Sequence, residues 1–122
     1  MVGSADANLL LAAVDPQDAL HARARSHIHA HGRLRASVPA VLEAFIVLRR
    51  RGASLQALVA RLNEHFDLDD AGSLQTAAWA LDKGLLRTPF DAYHAADAHR
   101  RGEPLHTADQ ELLASAFPTI AY

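Results

Sequence analysis

Four acidic side chains stand alone in apolar or small-residue segments of this chain, and they are its strongest candidates for chemistry. They are Asp6, Glu43, Asp91 and Asp109. Removing a carboxylate from water is costly, so an acid in such surroundings calls for a partner. Four such acids, each beside the start or end of a predicted element, indicate one shared cation. A ligand set of oxygen atoms without sulfur favours a hard divalent ion such as Mg²⁺ or Mn²⁺.

Two of these acids sit in short polar turns that also have a purely structural explanation. In Asp6-Ala-Asn8, the amide two residues on could orient the carboxylate, or the aspartate could simply cap the helix that follows. In Thr107-Ala-Asp109, the threonine could hold the rotamer of Asp109, or cap the next helix. Taken alone, each turn therefore favours capping over catalysis.

The other two acids lie within predicted helices. Asp91 follows Thr88-Pro89, so it could be a first-turn residue that interacts with the helix dipole. Glu43 is harder to explain structurally, because its neighbours on both sides are apolar. A buried glutamate paired with an arginine is its best structural alternative.

Histidines offer a second kind of candidate. His27 and His31 are one helical turn apart and resemble a transition-metal pair, but no cysteine or well-placed acid completes the set. A solvated helix end is the favoured interpretation. His94, one turn after Asp91, is a possible contact to substrate phosphate, with a packed helix histidine as the alternative.

Composition limits the classes that remain. The 122 residues predict a single domain covering residues 1–122. The chain has no cysteine, which excludes disulfides and thiolate metal sites. It shows no secretory signal and no apolar stretch long enough to span a bilayer, so a cytoplasmic protein is expected. The formal net charge is −2, but 11 of the 12 basic residues are arginine, whose planar fork suits phosphate.

Short β-like runs alternate with longer helical patterns, which predicts a parallel sheet covered by helices. Pro16 is predicted to open the second helix, with Asp15 as its N-cap. Phe45, Phe90 and Trp79 are predicted to fill the core. Strands are predicted from residue 2 to near residue 6, and at residues 34–37, 66–68, 104–107 and 119–121; helices at residues 9–14, 16–29, 39–51, 54–65, 71–82, 89–102 and 108–114.

This arrangement places the acids near one edge of the sheet. Asp6 and Asp109 each follow a strand, while Asp91 and Glu43 lie in the first and second turns of their helices. Sites in open α/β sheets form at the carboxyl ends of the strands, where loops and helix N-termini meet. We therefore expect all four acids to reach one cleft.

The order and context of these segments resemble the PIN-domain family of metal-dependent ribonucleases, and most of all the VapC-type toxins of prokaryotic toxin–antitoxin pairs. The family's four acids fall on Asp6, Glu43, Asp91 and Asp109, and its supporting polar residues on Asn8 and Thr107. The matching stretches are Asp6-Ala-Asn8-Leu-Leu-Leu-Ala, Ser37-Val-Pro-Ala-Val-Leu-Glu43, Pro89-Phe-Asp91-Ala-Tyr-His-Ala-Ala-Asp-Ala98 and Leu105-His-Thr107-Ala-Asp109.

The resemblance implies a three-layer α/β/α fold with a short central parallel sheet covered by helices. It also implies an Mg²⁺- or Mn²⁺-dependent endoribonuclease, a homodimer, and a small antitoxin that inserts a segment into the cleft. Two departures stand out. The first strand is short and weakly apolar, and Asp97 is a fifth acid where many relatives carry an apolar or small residue. On an ideal helix it points roughly 120° away from Asp91, so an outer position is expected.

Three other functions compete with the toxin. One is a PIN-type nuclease that processes RNA without an antitoxin, and another is a catalytically silent PIN-like interaction module. The intact set of acids argues against the silent module. A phosphate-accepting receiver-like domain also gathers acids at strand ends, but it needs a lysine after a late strand, and the sole lysine, Lys83, falls in a helical segment.

Overall fold

A computed structural model describes residues 3–122, so Val2, in the predicted first strand, lies outside the described residues. The described chain is α/β and mostly helical, with short strands between the helices. Its elements in order are β1 (Ser4–Ala5), α1 (Ala7–Val14), α2 (His21–His31), β2 (Leu34–Ala36), α3 (Val38–Arg50), α4 (Leu55–His65), β3 (Phe66–Leu68), α5 (Ala71–Asp82), α6 (Pro89–Arg100), β4 (Leu105–Thr107), α7 (Gln110–Leu113) and β5 (Thr119–Ala121).

The described strands form two small parallel sheets. In the first sheet the order is β1-β2-β3, with Ser4 opposite Arg35 and Leu34 opposite Phe66. The second sheet pairs β4 with β5, with Leu105 opposite Thr119. Parallel neighbours require a crossover connection, and helices supply it here. The predicted α/β class with parallel strands is confirmed.

The chain divides into two compact units, Met1–Ala71 and Gly72–Tyr122. The first unit holds the three-stranded sheet with α1 to α4, and the second holds the two-stranded sheet with α6, α7 and nearly all of α5. In the described residues, no helix is long and apolar enough to cross a membrane.

Helix α3 is central to the first unit and follows directly from its sequence. The Ser37 hydroxyl accepts a hydrogen bond from the backbone N–H of Ala40 at 3.3 Å, and Pro39 occupies the first turn, where its missing N–H costs nothing. Val41 and Phe45 are both fully buried, and the helix packs on α1 and α4. The helix predicted at residues 39–51 is confirmed to within a residue at each end, and Gly52 with a φ of 73° follows its end.

The far end of α4 is held by one arginine from the segment before β2. Arg33 donates from Nη1 to the carbonyl of Glu64 at 3.0 Å, and from Nη2 to the carbonyls of Asn63 and Phe66 at 3.0 and 2.7 Å. Its Nε donates to Oδ1 of Asp67 at 2.9 Å. A cation at a helix C-terminus satisfies carbonyls that have no partner within the helix, so this contact ties α4 to the sheet.

The predicted start of the second helix at Pro16 is wrong, because α2 begins at His21. The prediction of Asp15 as the N-cap is wrong too, because Leu20 holds that position, and the aspartates at 15 and 18 hold turns instead. Oδ1 of Asp15 accepts the N–H of Gln17 at 2.9 Å, and Oδ1 of Asp18 accepts that of Leu20 at 2.8 Å. Such side-chain bonds to the backbone offer an alternative to the helix, and here they delay it by about a turn.

The prediction of an aromatic core is right for Phe45 and wrong for the other two residues. Phe45 is fully buried, but Trp79 is 40% exposed and Phe90 is 46% exposed. On α5 the core face is taken by Leu74, Ala77, Ala78 and Leu81 at helical spacing, which turns Trp79 outward. On α6 the buried side is the alanine face, and Phe90 is not on it.

Candidate active site

Asp6 follows β1 directly and is the N-cap of α1. Its Oδ1 accepts the backbone N–H of Leu9 at 2.9 Å, and its own backbone is extended. The helix that it caps is largely core, with six of its eight residues buried. Asp6 and Asn8 are both exposed to solvent. The capping explanation is therefore correct for Asp6, and it uses only one of the two carboxylate oxygens.

Glu43 lies in the middle of α3 and faces solvent, although Leu42 and Ala44 beside it are buried. The buried glutamate–arginine pair considered above is therefore wrong. The reason is periodicity, because the apolar neighbours in sequence point to other sides of the helix. No capping role or other structural task is evident for Glu43 in residues 3–122.

Asp91 occupies the first turn of α6 and is half-buried. Its backbone N–H donates to Oγ1 of Thr88, the N-cap, at 3.4 Å. A carboxylate at this end of a helix interacts favourably with the helix dipole. His94, one turn further along, is exposed, with its ring centroid 6.0 Å from that of Tyr93. The packed-histidine alternative for His94 is wrong.

The turn after β4 is built from two consecutive side-chain contacts. Oγ1 of the buried Thr107 accepts the backbone N–H of Asp109 at 3.0 Å. Oδ1 of Asp109 then accepts the N–H of Leu112 at 3.0 Å and caps α7. Thr107 thus orients Asp109 through its backbone, and the carboxylate is oriented by the helix that it caps.

The four candidate acids share one electrostatic property. Within residues 3–122, none of them lies at ion-pair distance from an arginine, lysine or histidine. Other acids of the chain do have arginine partners: Asp15, Asp67, Asp69, Asp97 and Glu111. The candidate carboxylates are exposed or half-exposed and have no ion pair within residues 3–122, so their all-oxygen chemistry fits a hard divalent cation.

Comparison with known families gives one match, to the PIN domain, over residues 5–118. The chain belongs to the PIN-domain family. The family resemblance predicted from the sequence is confirmed at this level, and PIN domains are generally metal-dependent nucleases that bind RNA. No curated protein and no solved structure matched the chain.

The acids of this PIN domain are divided equally between its two units. Asp6 and Glu43 belong to the first unit, and Asp91 and Asp109 to the second. Among residues 3–122, no group of three or more histidine, cysteine, aspartate or glutamate side chains is arranged to hold a metal ion. The convergence of all four acids on one cleft therefore stays a prediction.

The fifth acid of this PIN domain has a partner of its own. Nε of Arg101 donates to Oδ1 of Asp97 at 3.0 Å, forming an ion pair across one turn at the end of α6. Pairs at this spacing support exposed helices modestly. Asp97 thus differs from Asp91 on the same helix, which has no such cation nearby within residues 3–122.

Sequence reasoning missed a contact that joins the segments bearing Asp91 and Asp109. Arg87 precedes α6, and its backbone N–H and Nε donate to Oε1 and Oε2 of Glu111 on α7, at 2.7 and 2.9 Å. These bonds hold the pKa of Glu111 below its ordinary value, while nearby Asp109 acts in the opposite direction. The two residues are 24 positions apart, so no local pattern pairs them.

Proposed function

We propose that this PIN domain is a hydrolase, a metal-dependent endoribonuclease that cleaves RNA phosphodiesters, with Asp6, Glu43, Asp91 and Asp109 as ligands of Mg²⁺ or Mn²⁺. The observation that carries the proposal is the absence of ion-pair partners for these four acids within residues 3–122, in a chain that pairs other acids with arginine. An unneutralised carboxylate attracts a divalent cation far more strongly than one already paired.

A bound divalent ion supplies an activated water at neutral pH and stabilises charge on the attacking and leaving oxygens of the phosphodiester. The chain's part is to hold the carboxylates in place. The caps use Oδ1 of Asp6 and Oδ1 of Asp109, which fixes both side chains and leaves each Oδ2 available to a ligand. Thr107 supports the second cap through the backbone, and we assign the matching supporting role at the first to Asn8, which is exposed.

His94 is the chain's candidate contact to substrate. It is exposed and lies one turn after Asp91 on α6, so an imidazole N–H there can donate to an RNA phosphate oxygen. Arg35, Arg51 and Arg87 are less suited to this task, because each is already engaged with an acid. Because these arginines are already engaged, the arginine-rich composition supports RNA binding less than the sequence alone suggests.

For the biological role we propose the toxin of a type II toxin–antitoxin system, acting in the cytoplasm as a homodimer. The support is the resemblance of the four quoted stretches to VapC-type toxins. A small antitoxin would insert a basic segment, because a guanidinium competes well with a metal for carboxylates. A PIN nuclease that processes RNA without an antitoxin is the second candidate, and the acids serve it equally well.

The activity is tested with purified protein and single-stranded RNA. Cleavage should need Mn²⁺ or Mg²⁺ and stop with EDTA. Asp6→Asn, Glu43→Gln, Asp91→Asn and Asp109→Asn should each remove most of the activity while the fold is retained. Asp97→Asn is the matched control on α6, because that acid is already paired. An equal loss at Asp97 would show that the site is misplaced.

The partner is tested by expressing the chain from its native operon and identifying what co-purifies by mass spectrometry. The toxin proposal expects a small second protein that suppresses the ribonuclease activity until it is removed. Recovery of an active nuclease alone would instead favour RNA processing without an antitoxin.

A further inference from the structure

Two histidine rings near the end of α2 lie against each other on the surface. The ring centroids of His27 and His31 are 4.3 Å apart, with planes tilted by 31°, and both residues are exposed. Within residues 3–122, neither ring forms a hydrogen bond to the protein. His21 at the start of the same helix is different, because its Nδ1 lies 2.7 Å from the carbonyl oxygen of Ala12.

Packing gives little reason for this pair. Helix α2 buries a single residue, Ala24, and its N-cap position, Leu20, makes no side-chain capping bond. The helix therefore contributes much less to the core than α1, which buries six of its eight residues. Exposed rings on such a helix can rotate about χ1 and χ2 without disturbing a core.

We propose that His27 and His31 together bind one borderline transition-metal cation, such as Ni²⁺, Cu²⁺ or Zn²⁺, with water completing the coordination. Two histidines at i and i+4 on one helix face are the spacing used by helical zinc sites. Imidazole nitrogen suits these metals, whereas carboxylate oxygen suits Mg²⁺ and Mn²⁺. This site is chemically distinct from the four acids and does not depend on the proposed nuclease function.

Metal binding here also stabilises the helix. A cation bridging residues 27 and 31 fixes one full turn of α2 in helical conformation, just before the chain leaves it at Gly32 (φ 78°). Since an unfolded segment holds the two rings apart, the cation binds the folded helix preferentially and stabilises it by mass action. The added stability falls on a helix that buries only Ala24.

The test is calorimetric titration of tag-free protein with Ni²⁺, comparing wild type with His27→Ala, His31→Ala and His29→Ala. His29 is the matched control, because it is exposed on the same helix but is not part of the ring pair. We expect one histidine-dependent site in wild type, retained in His29→Ala. Each pair variant should weaken binding at least tenfold, since loss of even a ligand's supporting partner typically costs about 10- to 100-fold.

Two outcomes would overturn the proposal. One is an equal loss in His29→Ala, and the other is binding that survives in both pair variants. Electron paramagnetic resonance of the Cu²⁺ complex gives an independent readout, because two nitrogen ligands should be seen in wild type and fewer in His27→Ala. Repeating the titration in excess Mg²⁺, which suits carboxylate oxygen rather than imidazole nitrogen, suppresses binding of Ni²⁺ at the acids, and the site at the ring pair should persist.

Discussion

The turn after β1 and the turn after β4 are built alike, one in each unit of the chain. In both, an aspartate follows a strand and its Oδ1 accepts a backbone N–H three residues on, from Leu9 at 2.9 Å and from Leu112 at 3.0 Å. The helices that follow differ greatly. α1 has eight residues, six of them buried, whereas α7 has four residues and buries only Leu112.

The comparison shows that an acid at such a turn is by itself weak evidence for a catalytic role. Asp6 and Asp109 are explained by capping alone, so their presence would be expected in a protein with no catalytic task. Glu43 and Asp91 are on helices that are capped by other residues, Ser37 and Thr88. The hypothesis of a metal site therefore depends most on the two acids within helices.

The largest expected effect separates capping from catalysis at the two turns. Asparagine caps a helix about as well as aspartate, so Asp6→Asn and Asp109→Asn should fold normally. We expect each to lose at least about 100-fold in RNA cleavage, the upper end of what loss of a ligand's supporting partner costs. Glu43→Gln should lose as much. Near-normal cleavage by Asp6→Asn, measured beside an inactive Glu43→Gln, would mean that the first turn is only structural.

Metal should stabilise the folded protein next most strongly. A cation that binds only the folded state adds ~2.7 kcal/mol to the free energy of unfolding at a hundredfold excess over its Kd. Thermal melts with and without Mn²⁺ should show this gain for wild type and Asp97→Asn, and a much smaller gain for Asp91→Asn. If the gain is the same in all three proteins, the ion binds elsewhere.

The two caps should differ in their contribution to stability. Asp6→Ala removes the cap of a largely buried helix and should lower the free energy of unfolding by about 1 kcal/mol. Asp109→Ala should cost less, because α7 is short and buries little. Urea denaturation of both variants, with Asp→Asn at each position as controls, measures the difference. Equal costs would show that the burial of the capped helix does not matter.

The smallest expected effect is a pH dependence of folding stability that comes from the contact between Arg87 and Glu111, near the turn after β4. Hydrogen bonds from Arg87 keep the pKa of Glu111 below its ordinary value of 4.5. Because the folded pKa is lowered, the stabilising contribution is present above the unfolded pKa and is lost as pH falls through the folded one. Arg87→Ala should therefore melt below wild type at pH 7, and the gap should narrow as pH falls through the folded pKa of Glu111. A gap that persists at acid pH would assign the effect to packing of the Arg87 stem.

Local sequence patterns predicted much of this fold. The helix predicted at residues 39–51 and the parallel strands follow from neighbouring residues alone, as do the capping roles considered for Asp6 and Asp109. The prediction of a helix start at Pro16 failed because two local signals competed there. The turns formed by the aspartates at 15 and 18 prevailed over the helix-starting proline, and α2 begins at His21.

Long-range contacts lay beyond such patterns. Arg33 binds the end of α4 more than 30 positions away, and Arg87 binds Glu111 from 24 positions away. Charge at a position is visible in the sequence, but its partner depends on the packing of whole elements. For the same reason the four acids could be selected from the sequence as candidates, whereas their role and their convergence on one cleft stay predictions.

The capping role of Asp6 and Asp109, beside their proposed role as metal ligands, has an evolutionary consequence. A PIN-domain lineage that ceases to need RNA cleavage stays under selection to fold. That selection acts on Asp6 and Asp109, because each accepts a backbone hydrogen bond that caps a helix. Substitutions at Glu43, which is exposed and unpaired within residues 3–122, do not remove a helix cap and so do not lower the stability of the fold in this way. Relatives that have lost activity should therefore lose the acid at position 43 first and keep those at the turns longest.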